Sequence, residues 1–375
     1  MRVLDKGMIR GLPASLGLES LTFPAMEVLP SGRWLAGFRA ADQKKDGRSM
    51  KAMMTWSDDR GKTWVPPFEP LLLPGINGRS GHSHSLYFLA LGANRVLAVT
   101  NWVDASYPEA PFFDPHTESL KDTRIFYSFS DNGGADWCEP VLIDSAAAQG
   151  PVPLTGPPLR LSDGSLICSF EINKFREDPM PWNHRSAMLF SRDQGGSWSE
   201  MQVVTCHPGR YYWDQRPLVV IGGERVVNFF WTFDGIKNRY QNIHRSESID
   251  GGKTWSEPED TGIYGQPGRP VQLADGRLVL VSIDRRKFPE IHLHLSRDEG
   301  KTFYRSRRLI TFEQKPQDSE YLRMDEAWEE MARYSVGHPQ LLALDAWEIL
   351  VYYYQGPDTD RTSIHFLRIY LGPGD

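Results

Sequence analysis

Short apolar runs, not the three-to-four spacing of helices, organise this chain. Runs over residues 50–56, 124–129, 186–190, 242–247 and 291–295 have the length and composition of strands. Each ends in the same polar turn. It reads Ser57-Asp58-Asp59-Arg60-Gly61-Lys62-Thr63-Trp64 at its first occurrence. It recurs from Ser130 to Trp137, Ser191 to Trp198, Ser248 to Trp255 and Ser296 to Phe303. The shared pattern is Ser-x-Asp/Asn-x-Gly-x-x-Trp/Phe. In such a turn the Asp or Asn side chain bonds its own backbone and Gly supplies a positive φ. The Ser ties the loop to its stem, and the aromatic residue folds back to cover apolar surface.

A second pattern precedes each turn: Pro, a few apolar residues, a tight turn, then another apolar run. It occupies residues 23–36, 157–170, 216–230, 269–282 and 338–353, with a looser copy at 83–100. Asp163-Gly164 and Asp275-Gly276 are hairpin turns within it. Six such hairpins with five polar turns predict an all-β chain. The expected architecture is a six-bladed β-propeller of four-stranded antiparallel blades, with periods of roughly 50–70 residues, as a single domain over residues 1–375. The sixth blade, residues 335–371, lacks the polar turn. Its outer strand is expected from residues 2–10, which would close the ring. One insertion, Gln317 to Arg333, has Asp318 or Ser319 to cap it. Tyr321, Leu322, Ala327, Trp328 and Met331 predict a short amphipathic helix there.

Composition narrows the function. Aromatic residues make up 12% of the chain, which favours surfaces on which sugars stack. A net charge of −6 argues against a general nucleic-acid partner. No apolar run approaches a membrane span. The N-terminal Met-Arg-Val-Leu-Asp-Lys-Gly-Met-Ile-Arg-Gly has no apolar core of a signal peptide, so a cytoplasmic location is expected. Cys138, Cys168 and Cys206 form neither a disulfide framework nor a zinc pattern and are expected to be buried or inert thiols. No cofactor and no metal is expected, since His82-x-His84 alone is too small a ligand set.

A propeller presents its site at one mouth of the central channel, where loops enter the innermost strands. The entries here hold Thr22 and Phe23; Arg79, His82 and His84; Thr155 and Gly156; Trp213, Asp214, Gln215 and Arg216; Gln266 and Arg269; and Tyr334, Ser335 and His338. Carboxylates at such a mouth serve acid/base work on sugars, and guanidinium forks suit an anionic group.

The five polar turns resemble the BNR or Asp-box repeats of the sialidase (neuraminidase) superfamily, over essentially the whole chain. The resemblance implies a sialidase-like propeller and glycoside hydrolysis of a carbohydrate substrate. It implies three arginines on the substrate carboxylate. Arg216 and Arg269, each before Pro, match the second and third, but Thr22-Phe23-Pro24 stands where the first would lie. The family's nucleophilic tyrosine matches Tyr334-Ser335, while His338-Pro339 aligns equally well with the strand entry. Its acid/base aspartate would come from the loop holding Asp42 and Asp46. The glutamate that polarises the tyrosine has Glu171, Glu200 and Asp214 nearby. The catalytic candidates are therefore Asp46, Glu171, Asp214, Tyr334 and His338. The substrate-binding candidates are His82, His84, Trp213, Arg216, Gln266 and Arg269, with Trp102 and Trp182 as further stacking platforms.

The expected function is an exo-acting, sialidase-like glycoside hydrolase for an acidic or modified sugar other than ordinary sialosides. Two alternatives stay open. One is a polysaccharide lyase with His338 or His82 as base and Tyr334 as acid; the other is a non-catalytic glycan-binding propeller. Loss of one charge-assisted bond costs about 1.5–3 kcal/mol, or roughly tenfold to a hundredfold in affinity. A fluorogenic aryl sialoside should therefore turn over negligibly, beside measurable action on, or binding of, members of a uronic-acid panel. Sialoside cleavage with kcat/KM of order 10⁴ M⁻¹s⁻¹ or above would contradict this.

Overall fold

The computed structural model describes residues 1–9, 12–45, 47–313 and 333–375. Among them the strands form six antiparallel blades around one axis. The first blade contains Ser20–Val28, Trp34–Ala41 and Met50–Ser57. Its fourth position is only an isolated bridge from Phe68 to Met54, not a full strand. The second contains Gly81–Ala90, Val96–Asp104, Thr123–Ser130 and Val141–Leu142; the third, Leu159–Arg160, Leu166–Ile172, Arg185–Ser191 and Glu200–Cys206. The fourth contains Arg210–Val219, Val226–Asp234, Asn242–Ser248 and Glu259–Tyr264. The fifth has an interrupted inner strand, Gln266–Pro267 then Val271–Gln272, followed by Leu278–Asp284, Glu290–Ser296 and Arg305–Thr311. The sixth contains Val336–Ala343, Glu348–Asp358 and Arg361–Tyr370. Its outer strand is Arg2–Ile9, which pairs from Arg2↔Tyr370 to Ile9↔Ile364, so the N-terminal strand closes the ring.

Each blade packs its apolar faces against both neighbours, and the core is divided accordingly into six seams. Leu35 and Met54 of the first blade meet Phe88 and Ala98 of the second. Leu97 and Ile125 meet Phe170 and Leu189 of the third, and Phe190 meets Tyr212 and Phe230 of the fourth. Phe229 meets Leu278 and Leu280 of the fifth, and Val281 and Leu293 meet Val351 of the sixth. Trp34 and Phe38 complete the circle against Tyr352 and Phe366. Because the second strand of a blade lies between two seams, Trp34–Ala41, Val96–Asp104 and Val226–Asp234 are buried at every position. That explains why these strands read as continuous apolar runs.

The polar turns fasten these seams. In the fourth blade Ser248 Oγ donates to Asp250 Oδ1 at 2.8 Å and accepts the Gly252 amide at 2.8 Å. Asp250 accepts the Thr254 amide at 2.9 Å, and Trp255 Nε1 donates to the Gly252 carbonyl at 3.0 Å. The Ser and Asp or Asn bonds recur around Asp59, Asn132, Asp193 and Asp298, and the indole bond recurs at Trp64, Trp137 and Trp198, whereas Phe303 has no such donor. In four of the five turns the glycine sits against an aromatic ring of the preceding blade, while Gly134 sits against Met54 and Leu35. A Cβ on Gly300 would come within 2.5 Å of Phe229, and one on Gly61 within 2.8 Å of Phe366. Both residues also have positive φ, so glycine is required twice over. The motif thus seals one blade to the previous one as well as closing its own hairpin.

Three expectations need correction or placement. Of the cysteines only Cys168 is buried, while Cys138 and Cys206 are exposed. Residues 314–332, which hold most of the expected helix, lie outside the described residues, as does Asp46. Among the described residues no helix is long and apolar enough to cross a membrane.

Asp250→Ala removes the acceptor for two amides and the Thr254 hydroxyl. It should lower unfolding free energy by about 1–3 kcal/mol in denaturant titration and leave ligand binding at the channel mouth intact. Loss of binding in a folded Asp250→Ala protein would show that the turns belong to the site.

Candidate functional site

The inner strand of every blade has a sheet partner on one side only. Its other edge faces the channel, where an amide has no ladder to join. Proline is tolerated at such an edge, which gives Pro24, Pro158, Pro217, Pro270 and Pro339 their common position. The inner strands also break register there. The ladder skips between Thr22 and Ala25, Ser83 and Leu86, Trp213 and Arg216, and Gly337 and Gln340. At three of these bulges a non-glycine residue takes the left-handed conformation: Phe23 at φ 52°, Asp214 at 53° and His338 at 49°. A bulge re-aims a side chain, and such backbone strain gathers at functional positions. All three side chains, with His84 from the second blade's bulge, line one cavity of about 400 Å³.

Its walls differ in chemistry. Phe23 lies between two imidazoles, with ring centroids 5.0 Å from His84 and 4.6 Å from His338. Phe112 stacks on His84 at 5.6 Å. Trp213, Trp231 and Phe113 extend this apolar wall and belong to a buried aromatic cluster capped by the short hairpin of Phe113–Asp114 and Ser119–Leu120. Burial drives both His84 and His338 down to about 3, with Arg39 adding to the effect on His84; Arg216 and Arg285 lower His338 further against the pull of Asp214. Both imidazoles are neutral near pH 7.

The anionic wall comes from the third and fourth blades. Glu171 Oε1 accepts the Asp214 amide at 2.7 Å, and His184 Nε2 lies 3.5 Å from Glu171 Oε2. Arg216 Nη2 pairs with Asp214 Oδ1 at 2.9 Å, and Gln266 Nε2 donates to Asp214 Oδ2 at 2.5 Å. Arg285 in turn donates to Gln266 Oε1 at 2.9 Å. Burial works to raise Asp214, but Arg216, Gln266 and Arg285 outweigh it and hold the carboxylate below its ordinary range. The cationic wall comes from the first blade, on the opposite side of a six-membered ring. Arg39 faces Thr22 across the ladder. Its guanidinium donates to the Lys44 and Gln43 carbonyls at 3.0 and 3.3 Å, and Lys44 and Lys45 complete this side.

The expected residues are thus partly gathered. Asp214, Glu171, His338, His84 and Trp213 line the cavity. Gln266 and Arg216 stand behind Asp214, and Arg216 is only 3% exposed, bound also to the Thr155 carbonyl. Arg269 is not among the lining residues. It lies 3.9 Å from Glu27, which burial raises to about 7 against the pull of Arg269, and its amide is held by Gln340. Tyr334 is fully buried and outside the lining, with its hydroxyl 3.5 Å from the Arg285 carbonyl. His82 also lies outside the lining. Trp102 and Trp182 are buried in packing, and Asp42 caps its own loop through the Gln43 and Ser49 amides. Among the described residues no cluster of three His, Cys, Asp or Glu side chains is placed to hold a metal. Sequence reasoning missed Arg39 and Lys44. The available signal was a lone charge inside the apolar run Trp34-Leu-Ala-Gly-Phe-Arg-Ala-Ala41.

Residues 119–325 match the family model described as a BNR repeat-like domain. No curated protein matches the chain. Among solved structures, a Dyadobacter fermentans protein of unknown function is similar at 20% identity, with 99% of both chains covered and a TM-score of 0.74. The Ruminococcus gnavus intramolecular trans-sialidase, solved with oseltamivir carboxylate, is 14% identical, with 93% of this chain and 94% of that one covered and a TM-score of 0.63. The Trypanosoma rangeli sialidase, solved with sialic acid, is 14% identical, with 98% of this chain and 57% of that one covered and a TM-score of 0.63.

The two neutral imidazoles carry a pH consequence. Unfolded histidine binds a proton below about pH 6.5, whereas folded His338 does so only near 3. Between these values the unfolded state holds more protons, so stability falls as pH falls. His338→Asn keeps a residue that tolerates the left-handed backbone. It should flatten the pH dependence of unfolding free energy between pH 6 and 4 by up to about 1.4 kcal/mol per pH unit. An unchanged slope in pH-resolved denaturation would mean that His338 is charged in the folded protein.

Proposed function

Since the chain belongs to the BNR repeat-like family and has a sialidase-like six-bladed propeller, we propose that it is a glycoside hydrolase acting on an acidic or modified sugar other than an ordinary sialoside. The observation that carries this reading is the charge division of one strained cavity, with Arg39 opposite Asp214 and Glu171. A sugar acid would place its carboxylate toward Arg39, whose planar fork suits that group. Its ring would lie against Phe23, Phe112 and Trp213. Its anomeric centre would face Asp214, an anion held ionised in a water-poor site. Such a carboxylate stabilises the positive charge that develops on the ring as the glycosidic bond breaks. Glu171, tied to the Asp214 amide, holds that carboxylate in place and supplies a second carboxyl group to the cavity. Arg216 and Gln266 act on Asp214, and Arg269 lies against Glu27. A lyase is the second reading, favoured by one observation: the neutral imidazole of His338 lines the cavity, where burial that holds it near 3 makes it a weak base.

The products discriminate. Incubation with a panel of uronic-acid and other acidic oligosaccharides should release a new reducing end without ultraviolet absorbance. Asp214→Asn should lower kcat by roughly a hundredfold or more with the fold retained. An unsaturated, ultraviolet-absorbing product would replace hydrolysis by elimination. Saturable binding with no product from any member of the panel would make the protein a glycan binder.

A further inference from the structure

Tyr87 lies on the second blade's inner strand, Gly81–Ala90, and is 7% exposed. Its ring is fixed in the seam with Ala25, Leu97, Phe170 and Leu189. It also lines the cavity, where it supplies the single phenol among the described residues of the wall. In the same seam the Tyr127 hydroxyl donates to the Gly196 carbonyl at 2.6 Å. The Tyr87 hydroxyl makes no hydrogen bond among the described residues, and it is not sealed from water as Trp102 Nε1 and Trp182 Nε1 are. An unsealed hydroxyl on a cavity-lining ring opens on that cavity. Burial raises the phenol above its ordinary range; Arg216 opposes this and Asp214 adds to it, so the group is a neutral donor near pH 7. The two charged groups that act on it belong to the anionic wall, which sets the hydroxyl on that side. A polar group without a protein partner in a mostly apolar wall is available to orient a ligand.

The glycosidase reading, on which this inference rests, sets the sugar's carboxylate toward Arg39 of the first blade and its anomeric carbon toward Asp214 of the fourth. Those blades are opposite in a ring of six. Carboxylate and anomeric carbon must then be separate ring substituents, as in a uronic acid. In a 2-ulosonic acid such as sialic acid the anomeric carbon itself carries the carboxylate, and the next ring carbon is a methylene without a hydroxyl. We propose that Tyr87 reads the hydroxyl on the ring carbon beside the anomeric centre, and that the substrate is a uronic acid with this hydroxyl free. That hydroxyl donates its hydrogen to Asp214, which can only accept, and accepts the hydrogen of the phenol. Arg216 and Gln266 engage Asp214 Oδ1 and Oδ2 once each, and each carboxylate oxygen accepts more than one donor. A sugar that lacks the hydroxyl at this carbon leaves the phenol unpaired, which is how such a site rejects it. Tyr87 makes and breaks no covalent bond here; it selects.

The test measures binding to the full-length protein by calorimetry. The probes are D-glucuronate or D-galacturonate, whichever binds more tightly, its 2-deoxy and 4-deoxy forms, and sialic acid. Wild-type protein should bind the 2-deoxy form about tenfold more weakly than the parent uronate, and sialic acid at least about tenfold more weakly. Tyr87→Phe keeps the ring in its seam and breaks no hydrogen bond among the described residues, so its unfolding free energy should match wild type. It should weaken the parent and the 4-deoxy form about tenfold and leave the 2-deoxy form unchanged. An equal loss for the parent and 2-deoxy forms in Tyr87→Phe would overturn the proposal, as would no loss for the parent. Tighter binding of sialic acid than of either uronate would overturn it too. Should the variant misfold, equal affinity of wild-type protein for the parent and 2-deoxy forms has the same force. Absence of binding by both uronates would remove the sugar-acid reading and this inference together, whereas uronate binding indifferent to Tyr87 removes this inference alone.

Discussion

Six inner strands must converge on one axis, and none of them can pair across it. This constraint shapes the rest of the molecule. Each strand is an edge on its channel side, and an edge without a partner is filled by bulges and proline instead of a ladder. The bulges turn Phe23, His84, Asp214 and His338 inward. Three of the four hold a left-handed backbone that non-glycine residues rarely adopt. The strain persists because the six apolar seams behind the strands fix them from both sides. Rigidity in the seams thus permits irregularity at the centre, where an ordered polar site requires it.

The channel's electrostatics follow from the same geometry. Two arginines take up two carboxylates: buried Arg216 pairs with Asp214 beside the cavity, and part-buried Arg269 of the fifth blade lies against Glu27 of the first. Removing one member of such a pair leaves the other as an uncompensated buried charge, so these arginines support the ring as well as the site. What distinguishes the cavity is that Asp214 remains turned into it while its charge is held by Arg216, Gln266 and Arg285. On the opposite blade Arg39 presents the other sign.

The fold was legible because its signals were repeated. The polar turn and the Pro-led hairpin recur with enough regularity to count blades, and even the closing strand at Arg2–Ile9 was placed from what the sixth blade lacked. The fourth strand of the first blade was overestimated, because Phe68 makes only a bridge. Cavity-lining residues at strand entries were legible by position, which brought out Asp214, His338, His84 and Trp213. Arg269 also precedes Pro, but the interruption between Pro267 and Val271 takes it off the cavity wall to Glu27, a turn of the backbone that no residue spacing encodes. Tyr334 sits before the sixth inner strand begins and is buried beneath the loop bearing Lys44. Arg39 reaches the cavity through cross-strand pairing with Thr22, a three-dimensional relation that a reading along inner-strand entries does not test.

The most direct measurement of the site's assignment is a crystal structure of the protein soaked with an acidic monosaccharide such as glucuronate. The sugar should occupy the cavity with its carboxylate within hydrogen-bonding distance of Arg39 or Lys44, its ring on Phe23 and Trp213, and a ring substituent facing Asp214. A ligand bound outside this cavity, or one whose carboxylate turns away from the Arg39 side, would contradict the assignment.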